Sequence, residues 1–251
     1  MHMTFPDAAR GAAATAPSSS VAPASRRLLD AAQALQPLLE TGQPFSTAQL
    51  REAMARAFGA TDAEGAWDWK TAYDACEAAQ ILLLRRYGRA LVARGRSPQS
   101  QLATWERLAA RIPTQTRRSE EGQSLQQFST PLPLAFVAAH AASIHAGDRV
   151  LEPSAGTGML AIHAELAGAA LALNELAGGR AELLELLFPA VPITRHDGAS
   201  IDDRLDAAFV PDLVLMNPPF SATAHVDRPM RGTALRHIAS ALARLRDGGR
   251  L

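Results

Sequence analysis

The spacing of apolar residues changes once along this chain, near residue 128, and that change limits the folds open to it. Before it, apolar residues recur at intervals of three and four. Leu28, Leu29, Ala32, Leu35 and Leu39 form one such set. Leu50, Met54 and Phe58 form another, and Leu102, Trp105, Leu108 and Ile112 a third. That spacing lines one face of a helix. After it, short apolar runs at 149–151, 170–173, 192–194 and 212–216 alternate with helical stretches at 132–143, 159–167 and 177–188. Strands separated by helices pair in parallel through crossover connections. The expected class is therefore α/β, a doubly wound parallel sheet preceded by an all-α N-terminal region.

Residues 1–24 are rich in Ala, Ser and Pro and read as a disordered leader. A helical domain is expected over 25–118 and the α/β domain over 119–251, with the polar stretch 113–127 at the join. Ser46-Thr-Ala-Gln49 reads as a capping box. A long helix is expected from about Glu64 to Ala93, carrying Trp67, Tyr73, Cys76, Ala79, Leu83 and Leu84 and ending near Gly95. Pro98 opens another helix. The 25 basic residues balance 25 acidic ones, so no overall basic field points to nucleic acid. Cys76 is the single cysteine, which excludes an internal disulfide or a Cys-rich zinc site. No run approaches the ~20 apolar residues that span a bilayer, and no apolar signal core opens the chain. A cytoplasmic location is the expectation.

Ligands of open parallel sheets bind at the carboxyl ends of the strands. Four candidate residues fall at such ends: Glu152, Glu175, Asp197 and Asn217. Glu152-Pro-Ser-Ala-Gly-Thr-Gly158 lies between a strand and a helix. Gly156 and Gly158 let backbone approach a ligand, and the following helix offers free N–H groups. A carboxylate at Glu152 suits a cationic amino group better than a pyrophosphate. Glu175, about 20 residues beyond the first strand, reaches ribose hydroxyls in such sheets. Asp197 is placed to accept from an adenine amine. A plain strand-to-helix turn at Glu152, a solvated charge at Glu175 and an Asx turn at Asp197-Gly198 are the competing readings.

Asn217-Pro-Pro-Phe220 leaves the fourth strand. The Asn217 side-chain oxygen and the Pro218 carbonyl can each accept one N–H of a planar amine, which favours a tetrahedral nitrogen with its lone pair exposed. Pro218 and Pro219 fix φ and remove a competing donor, and Phe220 can stack on a flat acceptor. A bare turn through two prolines is the alternative.

These residues resemble the class I S-adenosylmethionine-dependent methyltransferases of the amino-methylating group, in the motif order of the adenine-N6 enzymes. The resemblance implies a Rossmann-like fold and S-adenosyl-L-methionine as cofactor. It places Phe128, Thr130 and Pro131, of Phe128-Ser-Thr-Pro131, near the cofactor's methionine end. It assigns Glu152, Pro153, Ala155, Gly156 and Gly158 to the cofactor loop, Glu175 to the ribose and Asp197 to the adenine. Asn217, Pro218, Pro219 and Phe220 become the catalytic motif, with Asn217 also against the cofactor. The stretches Trp67-Asp-Trp-Lys70, Thr114-Gln-Thr-Arg-Arg118, Gln126-Gln-Phe-Ser-Thr130, Leu173-Asn-Glu175 and Met216-Asn-Pro-Pro-Phe-Ser221 are similar to the N-terminal part of bacterial strawberry-notch-like proteins. There a methyltransferase-like domain precedes a helicase domain, which implies a helicase partner downstream of Leu251.

A helix at 233–246 and Asp247-Gly-Gly-Arg-Leu251 read as the turn into a fifth strand. A complete sheet of this kind continues further, so a fragment with an apolar edge at the fourth strand is expected, or a chain that needs a partner to cover that edge. The seven histidines lack metal-ligand spacing, and no metal is expected; His196 is a candidate for the pocket wall. Arg85, Arg86, Arg89, Arg94 and Arg96 read as a solvated helix face or a phosphate contact, and Arg117 and Arg118 as a nucleic-acid contact. The Trp67/Trp69 pair reads as packing. Three functions follow: methylation of the adenine N6 of DNA, methylation of another planar amine or amide such as a protein glutamine, or a non-catalytic module that binds cofactor or nucleic acid beside a helicase.

Overall fold

The computed structural model describes residues 23–95, 97–113, 129–218 and 232–251. The chain is α/β and Rossmann-like, with helices leading into a parallel sheet. The helices are α1 (Ala24–Glu40), α2 (Thr47–Phe58), α3 (Trp69–Arg94) and α4 (Pro98–Ala109). Then follow α5 (Leu132–Ala141), β1 (Arg149–Glu152), α6 (Ala161–Ala167), β2 (Ala170–Asn174), α7 (Gly178–Leu187) and β3 (Ile193–Thr194). The short α8 (Ile201–Arg204), β4 (Leu213–Val214) and α9 (Thr233–Arg244) complete the set. The leader expected over 1–24 lies almost wholly outside the described residues.

The N-terminal helices start where local chemistry lets them. Ser46 and Gln49 form the expected capping box of α2, with the Gln49 N–H donating to Ser46 Oγ and the Ser46 N–H to Gln49 Oε1. The long helix expected from Glu64 begins instead at Trp69. Residues Asp62–Glu64 form a short 3-10 turn that ends at Gly65 in a left-handed conformation. Asp68 then caps α3, its Oδ1 accepting from the Thr71 N–H at 2.8 Å. Trp67 therefore precedes the helix. It packs edge-on against Trp69, which supports the packing reading of the pair.

All four strands are parallel, in the order β3-β2-β1-β4. The order of strand addition reverses at β1, with β2 and β3 laid down on one side and β4 on the other, and open α/β sheets bind ligands in the crevice beside such a switch point. Side chains alternate between the two faces. Val150, Leu171, Leu173, Leu213 and Leu215 join a large core with α1, α3 and α5–α7. Leu151, Ala172 and Val214 turn to a smaller core with Ala241, Leu205, Phe209 and Leu245. The sheet is thus covered on both sides, as a doubly wound sheet must be. The N-terminal helices and the sheet share the larger core, which includes Leu35, Met54, Leu84 and Trp105 along with Ile162 and Leu184.

The turn at 247–249 leads, as expected, into a fifth extended segment. Leu213 and Arg250 bridge in parallel, with the Val214 N–H donating to the Arg250 carbonyl at 2.9 Å. The expected bare edge at β4 is therefore met here by Arg250. Asp212 pins this edge, accepting from the Arg149 N–H at 2.8 Å and from Arg246 Nε at 2.6 Å. Its carboxyl is held down to about 2, by the Arg149 backbone N–H first and then by the Arg149 and Arg246 side chains. Among the described residues no helix is long and apolar enough to cross a membrane.

Candidate functional site

Glu152, Glu175, Asp197 and Asn217 lie at or just beyond the carboxyl ends of four neighbouring strands. Hydrogen bonds tie these ends into one cluster. Asn174, the last residue of β2, is its hub. Its Nδ2 donates to the carbonyls of Pro153 and His196, each at 2.9 Å. Its Oδ1 accepts from the His196 N–H at 2.8 Å and from Thr194 Oγ1 at 2.9 Å. The ends of β1, β2 and β3 are fixed to each other by this one buried amide.

The Gly loop leaves β1 with the Ala155 N–H bonded to the Asn174 carbonyl at 2.8 Å. Gly156 and Gly158 both have positive φ, +58° and +95°, which favours glycine over residues with a Cβ. Gly158 also touches the helix of the next unit. A Cβ there would lie 2.5 Å from the Phe188 ring and 3.0 Å from Leu184. Gly198, just past Asp197, is similarly crowded, since a Cβ would stand 3.0 Å from the Pro153 carbonyl oxygen. The loops after β1 and β3 therefore meet backbone to backbone at Gly198 and Pro153, with no room for a Cβ.

Glu152 is 2% exposed. Burial pushes its carboxyl well above the usual range; the Ala161 N–H opposes that shift, and the nearby Glu175 charge adds to it. Its Oε2 is buried with no hydrogen-bond partner. A buried oxygen left unpaired costs about 1–3 kcal/mol. A cationic amino group fits this position, because it would both pair the oxygen and favour the ionised form.

Glu175 departs from a ligand-ready posture. Its Oε2 accepts from the Gly156 N–H and its Oε1 from the Ala177 N–H, both at 2.8 Å. The solvated-charge reading fails, since the residue is buried. The carboxylate instead braces the Gly loop and the start of α7. A carboxylate offers about four lone-pair sites, so two hydroxyls can still be accepted alongside these bonds. The next residue, Leu176, is apolar and 51% exposed. Nothing in its sequence spacing singled it out.

Asp197 does form the Asx turn, its Oδ1 accepting from the Ala199 N–H at 2.9 Å. His237 of α9 lies 3.7 Å from the same oxygen. The Asp197 side chain stays largely exposed, so the turn and a role as acceptor are compatible. His196 contributes its backbone to the Asn174 hub.

Asn217 is half-buried beyond β4. Its Nδ2 donates to Thr130 Oγ1 at 3.2 Å. The expected N-terminal motif and the expected acceptor motif, 87 residues apart, thus meet directly. Pro131 caps α5, its carbonyl accepting from the Ala135 N–H. Pro218 is half-buried next to Asn217. Phe128, Pro219 and Phe220 lie outside the described residues, as do Arg96, Arg117 and Arg118.

A second group of residues was not anticipated. Thr157 of the Gly loop donates to Glu77 Oε2 at 2.7 Å, and Arg180 of α7 pairs with Asp74 at 2.6 Å. Both carboxylates belong to α3. The signal was present in the sequence: Asp74 and Glu77 share a helical stripe with Ile81 and Leu84, both fully buried. Burial, with Asp74 close by, raises the Glu77 carboxyl above its ordinary value. Burial works against the charge on Arg180, but Asp74, Glu77 and Glu175 together hold that charge more firmly than in water. The remaining arginines of α3 are largely engaged in packing. Arg85 grips Glu165 with two bonds of 2.6 and 2.8 Å and lies over Phe188, Arg86 pairs with Glu40, and Arg89 bonds the Leu166 carbonyl. The solvated-face reading fails for Arg85, which is half-buried, whereas Arg86 and Arg89 remain exposed.

No family model matches the chain, and no curated protein does. Among solved structures, TrmN from Thermus thermophilus is similar at 18% identity and a TM-score of 0.41, over 61% of this chain and 55% of that one. A likeness that distant bears on neither activity nor substrate.

Proposed function

We propose that the chain is an S-adenosylmethionine-dependent methyltransferase acting on an exocyclic amine of a nucleic-acid base, the N6 of adenine in DNA first. The orientation of Asn217 carries this reading. Its Nδ2 donates one N–H to Thr130 Oγ1, which fixes the plane of the amide and would let Oδ1 accept from a ligand. An amide oxygen can accept one N–H of a planar amine, and the Pro218 carbonyl can accept the other. The amine lone pair, otherwise delocalised into the base, is then freed for attack. The cofactor supplies a methyl group already activated on a sulfonium. Positioning and electrostatics then account for most of the rate gain, and no strong base is needed before attack.

The donor side fits the same reading. The unpaired Glu152 Oε2 suits the cofactor's ammonium group, Glu175 keeps lone pairs for ribose hydroxyls, and Leu176 and Asp197 suit the adenine face and edge. A duplex substrate would have to flip its target base out of the stack. Kinship with strawberry-notch-like proteins, with a helicase as partner, belongs to this proposal as well. The test is transfer of a labelled methyl group to DNA, RNA and protein. Label in DNA that disappears with Asn217→Ala supports the proposal. Label in protein alone moves the acceptor to an amide such as glutamine.

A further inference from the structure

The residues joining α3 to the strand-end cluster are charged and buried, where charge is costly. Asp74, Glu77 and Arg180 are 4%, 5% and 6% exposed. Arg180 donates from Nε to Asp74 Oδ2 at 3.2 Å and from Nη2 to Asp74 Oδ1 at 2.6 Å. The same Nη2 donates to Ser129 Oγ at 3.2 Å. One turn along α3, Glu77 accepts from Thr157 in the Gly loop. Lys70, a turn earlier, lies 3.5 Å from Asp74.

Two segments of the candidate site are held this way. Glu77 holds the Gly loop through Thr157. Asp74 holds Ser129 through Arg180, and the next residue, Thr130, orients the Asn217 amide. Packing alone does not call for such an arrangement. Apolar side chains of similar size usually fill a buried site at equal or lower cost than an ion pair. Further along the same stripe the chain does use apolar residues, Ile81 and Leu84. Charge is kept at the turn of α3 that meets the Gly loop and the 129–130 segment.

We propose that the N-terminal helical region is part of the cofactor site, with Asp74 and Glu77 as positioning residues that hold the Gly loop and the Ser129–Thr130 segment in the geometry that receives the cofactor. The inference rests on the S-adenosylmethionine reading above. It assigns α3 a role in donor binding distinct from covering the sheet.

The test is calorimetric titration of S-adenosylmethionine into the full chain, with thermal melts of the free protein alongside. Thr157→Val removes the hydroxyl at nearly constant shape and should weaken binding about fivefold or more, as for a lost hydrogen bond to a charged partner. Thr157→Ser should restore it. Asp74→Asn leaves Arg180 unpaired and can unfold the chain, so the paired Asp74→Leu/Arg180→Leu variant removes both charges together. That variant should still melt cooperatively as a folded chain yet bind about tenfold more weakly or worse. Glu165→Ala is the control, because it breaks the Arg85 bridge from α3 to α6 and leaves Arg85 in place over Phe188, beside the Gly loop. It should lower the melting point and leave affinity unchanged. Wild-type affinity in the paired variant and in Thr157→Val overturns the positioning role, as does equal weakening by Glu165→Ala. A wild type that binds no S-adenosylmethionine overturns the cofactor reading itself and this inference with it.

Discussion

Gly158→Ala gives a sharp test of how the Gly loop is built. Its φ of +95° is one that residues with a Cβ rarely adopt, and the left-handed region costs an L-residue about 1–2 kcal/mol. The new methyl would also meet the Phe188 ring at 2.5 Å and Leu184 at 3.0 Å. Phe188 is 1% exposed and Leu184 fully buried, so neither can swing into solvent. Overpacking of this kind costs a further ~1–3 kcal/mol. Together the expected loss is about 2–5 kcal/mol, a large share of the 5–15 kcal/mol typical of a domain. Urea denaturation should show a lower midpoint with an unchanged slope. Gly179→Ala is the matched control: it sits in α7 with ordinary φ and open space around it. Ala there should be neutral or stabilising by up to about 1 kcal/mol. A Gly158→Ala variant as stable as the wild type would refute the packing argument for the loop.

Three further outcomes are expected. His163 is 8% exposed and burial pushes its pKa down to about 4 from 6.5. The folded state holds it neutral, so its contribution is complete above pH 6.5 and is lost as pH falls towards 4, by about 3 kcal/mol in all. Stability curves of wild type and His163→Phe should diverge over that interval, and parallel curves would contradict it. Burial raises the Glu152 carboxyl well above its ordinary range, so docking of a cationic amino group against Oε2 should favour the ionised form and release protons. Binding heats measured in phosphate and in Tris should then differ, and Glu152→Gln should erase the difference; identical wild-type heats would remove the amino group from this position. Glu175→Ala loses bonds to Gly156 and Ala177, and should weaken cofactor binding by about 1–3 kcal/mol, with an unchanged dissociation constant excluding it from the site.

The sheet and the strand-end residues were legible because they follow from local pattern. Apolar runs of strand length, separated by helical stretches, dictate parallel pairing, and residues just past each run must fall at the carboxyl edge. Helix starts were legible where a capping pair is local, as at Ser46 and Gln49. The start of α3 was misjudged because Trp67 continues the apolar spacing, whereas Gly65 and Asp68 decide the boundary. The braces of the site were not legible. Asp74 and Arg180 are 106 residues apart, and Glu77 and Thr157 are 80 apart. No local propensity announces such pairs; only charged residues on a buried helical stripe hint at them. Asn174 and Glu175 show the same limit. Their positions at the end of β2 were readable, but not that one binds three strand ends together and the other turns back on the Gly loop.

On the proposed function, the carboxyl ends of β1–β4 form an S-adenosylmethionine site. Calorimetric titration of the cofactor into the wild-type chain tests it most directly. Saturable binding at one site per chain, weakened by Glu175→Ala, is the expected result. Absence of binding by a chain that circular dichroism shows to be folded would contradict it.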